Sequence, residues 1–188
     1  YAQYNLDKSI PEQFLIYIRN AVTGDFGESM TRKGTAVMTI IGRCLPATMK
    51  LGLVAFVTAI VIGVLLGIVA AFTKHRWVEN LVMFFATIGV SVPSFLYAIM
   101  LMIVFGVMLG WLPIIGLKTP LHYIMPAFSL ALYPIAMITR LVRSSMKEVM
   151  KQDYIVLAKS KGTPTRKIIL GHALKNCLIP VVTYAGPL

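Results

Sequence analysis

The chain has 188 residues, of which 57% are hydrophobic and 13% charged, and its formal net charge is +11. A soluble domain averages about half apolar and about a quarter charged residues, and a chain of this size cannot bury so much apolar surface in one water-facing core. These values exclude a soluble globular domain, and they exclude a disordered chain, which needs low hydrophobicity. They predict a membrane protein. The excess of Lys and Arg is then explained by cytoplasmic loops, where these residues collect, rather than by binding to nucleic acid.

The two ends and the cysteines set further expectations. The sequence begins at Tyr1 and stops inside an apolar run, so we expect an interior part of a longer protein. Cys44 and Cys177 have no spacing motif, which argues against a disulfide framework and against a metal site.

The first uncharged run, residues 51–73, is long enough for a membrane helix, which needs about 20 residues. Within it, Gly63 and Gly67 have the small-xxx-small spacing that permits close contact between helices. Such pairs are common in membrane helices, so an interface and a chance spacing both remain open.

The second run, residues 80–117, is too short for two spans and a turn, and we predict one long span at about residues 81–111. Ser91, Pro93 and Ser94 lie inside it, and a proline at such a place kinks a helix. The bend is either an ordinary kink or part of a transport pathway. A third span is predicted at residues 119–139, and part of a fourth after Lys175.

Residues 140–177 carry nine Lys or Arg side chains against two acidic ones, which places this segment on the cytoplasmic side. Met150, Tyr154 and Leu157/Ala158 recur at the spacing of one helix face. Gly162 then suits a helix C-cap. The pattern predicts a helix, a glycine turn and a second helix. This segment is either a solvated basic loop that contacts anionic lipid or a docking element for a cytosolic partner.

The second helix is predicted to begin with Thr163 as its N-cap and Pro164 in its first position, with Ile168, Ile169 and Ala173 following.

These loop residues resemble the signature loop of ABC importer permeases, specifically the dipeptide, oligopeptide and nickel branch. The matching segments are Asp153-Tyr154, Ala158-Lys159-Ser160-Lys161-Gly162, His172-Ala173-Leu174-Lys175-Asn176 and Ile179-Pro180. The chain departs from the general importer signature at Val156, Leu157, His172 and Lys175. Further similar segments follow the family's order, namely residues 24–29, 43–48, 91–95 and 110–113.

The resemblance implies an all-α polytopic membrane protein, the transmembrane domain of a type I importer, with about three complete spans plus part of a fourth. Residues 1–46 would be an external segment after a missing first span. Residues 47–188 would be the truncated transmembrane domain, with a cytoplasmic coupling loop at residues 141–177. The location would be the plasma (inner) membrane of a prokaryote.

The implied function is transport of di- or oligopeptides by alternating access, without catalysis by this chain. Its partners would be a sister permease, two cytosolic ABC ATPases that use the ATP, an extracellular substrate-binding protein and the lipid bilayer. No cofactor, metal or nucleic acid is expected. The alternatives are nickel or glutathione as substrate, or a basic membrane scaffold that transports nothing.

The resemblance also assigns roles to residues. Contact with the ATPase is expected from Asp153, Tyr154, Ala158, Lys159 and Gly162. Ala158 would permit close approach, and Gly162 would allow the turn. Asp153 is either a docking contact or a local partner of the neighbouring lysines. Support of the loop is expected from His172, Asn176 and Pro180, and a place on the pathway from Ser91, Pro93 and Phe95.

Overall fold

The computed structural model describes residues 7–187 and divides into two compact units, Tyr1–Lys50 and Leu51–Leu188. The predicted division at residue 46 falls inside a helix that contributes to both units. The described helices are α1 Ile10–Val22, α2 Val37–Phe72, α3 Arg76–Ser91, α4 Ser94–Leu101, α5 Leu121–Val149, α6 Asp153–Ser160, α7 Thr165–Ile168, α8 Leu174–Cys177 and α9 Ile179–Ala185. Wider π-helical turns extend α4 over Met102–Met108 and join α7 to α8 over Ile169–Ala173.

The first unit contains the amphipathic helix α1 and a hydrogen-bonded loop. Ser9 and Glu12 form a capping box at the start of α1, with the Ser9 amide donating to the Glu12 carboxylate at 3.2 Å. The loop after α1 closes on itself, since the amide of Val37 donates to the carbonyl of Gly27 at 2.9 Å. This closure fixes the position at which α2 begins.

The core of the second unit is built around α5. Residues of α5 are buried along two faces of the helix: Met125, Ala127, Ser129, Ala131, Ile135, Ala136, Ile138, Thr139, Val142 and Met146. Helices α3, α4, α8 and α9 pack against it. The described helices do not cover all of α5, since the following apolar residues remain exposed: Leu121, Ile124, Phe128, Leu130 and Tyr133.

Helix α2 contacts α5 through small residues spaced by about one helical turn. The buried positions of α2 are Ala55, Ala59, Gly63, Gly67 and Ala70. A Cβ atom on Gly63 would lie 2.8 Å from the Cβ of Ile138, and one on Gly67 would lie 2.5 Å from the Cβ of Val142. The backbones therefore approach as closely as a small-xxx-small interface allows. Of the two interpretations of the glycine spacing, the structure selects the helix interface.

The predicted long span at residues 81–111 is broken rather than kinked. The chain bends by 106° between α3 and α4, which is far more than a proline kink in a continuous helix. The residue before a proline is pushed out of the helical region, and Val92 is extended, with φ −98° and ψ 129°. Pro93 is extended as well, with φ −58° and ψ 140°. Two successive extended residues turn the chain, so the bend at Pro93 is much larger than the predicted kink.

Tyr97 ties the two arms of this break together. Its hydroxyl donates to the carbonyl of Ile88 at 2.7 Å. Within α3, the Ser91 hydroxyl donates to the carbonyl of Thr87 at 2.8 Å. The polar groups beside the break are thus paired inside the protein, as a bilayer requires.

The helices extend beyond the uncharged runs that predicted the spans. Helix α2 begins at Val37 rather than at residue 51, and α5 continues past residue 139 to Val149. By length and composition, α2 and α5 can each cross a membrane, and each of two bent pairs, Arg76–Ser91 with Ser94–Met108 and Thr165–Cys177 with Ile179–Ala185, can form one more span. Helix α5 therefore carries the first basic residues of the segment predicted as a cytoplasmic loop.

Candidate functional site

Helix α6 is the short helix that the loop pattern predicted, and Ile155 anchors it. The helix starts after Gln152, which is extended, and Asp153 in its first turn complements the helix dipole. Ile155 is 0% exposed and belongs to the same buried cluster as Met146 and Ile168. The inward residue of α6 is therefore Ile155, which the sequence pattern did not identify.

The predicted apolar face of α6 is divided between the core and the surface, since Met150 and Ala158 pack against the buried cluster while Tyr154 and Leu157 are exposed. Met150 ends α5 instead of starting the loop helix, and Leu157 points outward with 56% of its surface exposed. Tyr154 and Val156 are exposed too. Helix α6 thus presents apolar and aromatic side chains to the outside while it is held from within by Ile155. The acid at position 153, typical of a first helical turn, is the sequence signal that places the start of α6.

Gly162 ends α6 as the predicted helix cap, and it adopts the left-handed conformation. Its φ is +76°, its amide donates to the carbonyl of Lys159 at 2.9 Å, and the amide of Thr163 donates to the carbonyl of Ala158 at 3.2 Å. These two bonds form a Schellman motif, which satisfies the free carbonyls at a helix end. The start of the next helix was wrong by one residue, since Pro164 is the cap and Thr165 the first helical residue.

Two of the predicted site residues meet across the loop. The side-chain amide of Asn176 in α8 donates to the hydroxyl oxygen of Tyr154 in α6 at 2.7 Å. His172 and Pro180 are exposed, and His172 makes no side-chain hydrogen bond to any residue in the range 7–187. Asn176 is thus the predicted supporting residue that reaches α6 by a hydrogen bond.

The charged residues of the loop are exposed. Asp153 and Lys159 lie at the surface, and within residues 7–187 the ion pairs are both made by Glu79. Asp153 therefore does not pair with its neighbouring lysines in the described part of the chain. Its carboxylate and the ammonium group of Lys159 remain open to a partner.

The pathway candidates lie together at the break between α3 and α4. Ser91, Pro93 and Phe95 are all exposed, and the Ser91 hydroxyl already donates within α3. An apolar cavity of about 330 Å³ lies between α2, α3 and α5, with Phe85, Gly89 and Phe128 among its lining residues. None of the three candidates lines this cavity, so a role on a pathway stays a prediction.

A cluster of polar contacts joins α3 to α5. Glu79 accepts hydrogen bonds from Arg143, whose Nε lies 2.8 Å from the carboxylate, and from Lys147. Two turns further along α3, Thr87 accepts a hydrogen bond from Arg140 at 2.9 Å. By sequence, these cations contributed only to the charge of the predicted loop. Their spacing, which puts all three on one face of a helix, is the signal that it missed.

The helices described above define a polytopic α-helical membrane protein. Its loop helix, α6, is held by the buried Ile155 and exposes Tyr154 and Leu157. Residues 63–187 match the family of binding-protein-dependent transport system inner membrane components, and the chain belongs to this family. The predicted resemblance and the all-α polytopic fold are thereby confirmed.

Several curated relatives match nearly the whole chain. The oligopeptide transport system permease protein OppB of Haemophilus influenzae is 41% identical, over 99% of this chain and 61% of its own length. The dipeptide transport system permease protein DppB of Bacillus subtilis is 39% identical, over 100% and 61%. The glutathione transport system permease protein GsiC of Escherichia coli K12 is 39% identical, over 98% and 60%. The chain thus spans about three fifths of the relatives that it matches.

Proposed function

We propose that this chain is part of the membrane-spanning permease subunit of an ATP-driven ABC importer for di- or oligopeptides. The family match supports the class, and the names of the OppB and DppB relatives support peptides as substrates. Substrate would pass by alternating access, in which rigid groups of helices rock between inward and outward openings. The chain itself would perform no chemistry and bind no cofactor, while ATP would be used by partner subunits.

Helix α6 is the proposed contact with a cytosolic ATPase. The observation that carries this proposal is its combination of an internal anchor, Ile155, with exposed apolar side chains at Tyr154 and Leu157. Aromatic and apolar side chains in the middle of a small patch are typical binding anchors. Asp153, Ala158, Lys159 and Gly162 would border the same contact.

The proposed assembly contains this permease, a sister permease, two ATPases and an extracellular substrate-binding protein in a prokaryotic inner membrane. The family's description as an inner membrane component that depends on a binding protein supports the bilayer and the binding protein. The basic segment at residues 140–177 would face the cytosol, where Lys and Arg are enriched.

Glutathione is a second candidate substrate, since the GsiC relative of Escherichia coli K12 is 39% identical over 98% of the chain. Uptake assays separate these substrates. Cells that carry the full-length permease and its partners are given labelled dipeptide, oligopeptide or glutathione. The proposal of a peptide importer predicts that unlabelled peptides compete for uptake and that glutathione does not.

Leu157→Asp tests the docking proposal, because it places a charge on an exposed position of α6 without disturbing the anchor. Each ATPase should co-purify with the full-length variant at least about tenfold less than with wild type, as expected for the loss of one anchor residue. Ile115→Asp is the matched control, since Ile115 is also exposed and lies outside the basic segment. Retention of the ATPases by Leu157→Asp would show that α6 is not the contact. Binding that is lost in moderate salt in the wild type would favour the basic scaffold instead.

A further inference from the structure

We infer that Asn176 is a positioning residue that fixes the rotation of α6, so that movement of α6 is passed to the helix containing Asn176. The inference rests on the proposed function, since it assumes that α6 receives a force from an ATPase. It concerns the hydrogen bond between the Asn176 amide and the Tyr154 hydroxyl, 2.7 Å long.

This bond joins two elements that are distant in sequence and adjacent in the fold. Tyr154 is followed by Ile155, and Asn176 by Cys177; both following residues are fully buried in the same cluster. Helices α6 and α8 are thus attached to the core at neighbouring points, and the polar bond lies beside the apolar anchors.

The apolar contacts of α6, made by Ile155 and the partly buried Ala158, hold the helix on the core but define its rotation less sharply than a directional bond does. Apolar contact has no preferred direction, whereas a hydrogen bond weakens steeply as its angle departs from linearity. Helix α6 has eight residues and a length of about 12 Å. Among residues 7–187, the Asn176 bond is the one side-chain hydrogen bond from α6 to another helix, since Ser160 bonds back to Val156 within α6.

The receiving helix leads into the membrane part of the chain. Helix α8 belongs to the bent pair Thr165–Cys177 and Ile179–Ala185, which is apolar and long enough to form a span, and it packs on α5. A displacement of α6 would reach this span through the bond as well as through the Gly162 turn. Without the bond, α6 would rotate about Ile155. Part of the ATPase movement would then not reach the span, and some ATP would be hydrolysed without transport.

The test is the amount of substrate transported per ATP hydrolysed, in proteoliposomes that hold the full-length permease with its sister subunit, ATPases and binding protein. Tyr154→Phe and Asn176→Leu each remove the bond with little change of shape. Each should lower this ratio about fivefold, the effect of one net hydrogen bond. In Asn176→Leu, which leaves the contact residues of α6 unchanged, the ATPases should stay bound. The double variant should be no worse than either single variant, because both changes break the same contact.

Two further variants separate the bond from general damage. Asn176→Asp replaces the donor by an acceptor of the same size, to which the Tyr154 hydroxyl can donate, so the ratio should return to near wild type. Tyr133→Phe is the matched control: Tyr133 is 44% exposed against 41% for Tyr154, and its hydroxyl has no partner within residues 7–187. It should leave the ratio unchanged.

The inference is overturned if Asn176→Leu keeps the wild-type ratio, if Asn176→Asp is as poor as Asn176→Leu, or if the double variant multiplies the two defects. Failure of Asn176→Leu to assemble would also overturn it, since the bond would then serve folding. These outcomes are distinct from failure of the docking proposal, in which Leu157→Asp retains the ATPases.

Discussion

Two glycines in α2 set the distance between the two longest helices. A Cβ atom on Gly67 would lie 2.5 Å from the Cβ of Val142 and 2.9 Å from the carbonyl oxygen of Thr139. The second neighbour is backbone, which cannot move aside without moving α5. The Thr139 hydroxyl also donates to the carbonyl of Gly63 at 3.3 Å, which adds a directional contact to the same interface. At this interface the packing requires residues of α2 that have no side chain.

Gly67→Ala should therefore destabilise the full-length permease by about 1–3 kcal/mol, the usual cost of forcing an extra methyl group into a packed core. Gly52→Ala in the same helix is the matched control, since a Cβ atom there meets nothing within 4 Å. Thermal unfolding in detergent measures both variants. Adding Val142→Ala to Gly67→Ala should recover little, because alanine keeps the Cβ atom that lies 2.5 Å away and the Thr139 carbonyl stays in place. Equal melting temperatures for the two single variants would contradict the packing account.

At the scale of helices, the charges that end the predicted spans turn out to be part of the packing. Glu79 in the first turn of α3 pairs with Arg143 and Lys147 in the last turns of α5. Both cations are partly buried between the helices rather than dissolved in a loop. Because opposite charges neutralise one another there, α5 can continue as a helix well beyond the uncharged run.

Glu79→Gln should destabilise the contact between α3 and α5 by about 1–2 kcal/mol, since two ion pairs of roughly 0.2–1 kcal/mol each are lost and two cations are left side by side. Glu148→Gln is the control, because Glu148 is exposed on α5 and makes no ion pair within residues 7–187. Melting temperatures at low and high salt measure the effect. The difference between the two variants should shrink in high salt, where wild type loses part of its ion-pair energy. A loss from Glu148→Gln as large as that from Glu79→Gln would refute the assignment.

The positions of the helices follow from the sequence only where the determining signal is local. The Gly162 turn was predicted because a left-handed glycine suits a helix end and depends on a few adjacent residues. The bend at Pro93 was foreseen as a kink, but its size depends on Val92 also becoming extended and on Tyr97 bonding across the break. The burial of Ile155 depends on helices distant in sequence, and a periodicity count could not supply it.

The same limit applies to the candidate site. The predicted supporting residue Asn176 does reach Tyr154, but its amide could be matched to that hydroxyl only once the fold was known. Charge gaps located the spans without showing that Arg143 and Lys147 pair with Glu79. Sequence thus predicted the family, the fold class and the loop helix, while contacts between distant helices required the structure.

For the whole molecule, the excess positive charge remains asymmetric after the ion pairs are counted. The segment at residues 140–177 has nine basic and two acidic residues, and Glu79 pairs with Arg143 and Lys147. The remaining basic residues on α6, α7 and the following turns are exposed, including Lys161 and Arg166. Lys and Arg close to the ends of spans determine orientation, because they are retained on the cytoplasmic side. The connection between α4 and α5 contains Lys118 as its single charge.

This asymmetry predicts opposite accessibility for two lysines in the full-length permease. In a variant with Cys44→Ser and Cys177→Ala, Lys118→Cys should react with a membrane-impermeant maleimide in intact cells. Lys161→Cys should react only after the membrane is permeabilised. The two substitutions are matched, since both remove one exposed positive charge. Labelling of Lys161→Cys in intact cells would place α6 outside, where no ATPase can reach it, and would remove the basis of the docking proposal. Labelling of both lysine variants in intact cells would instead mean that α5, which lies between the two positions, does not cross the membrane.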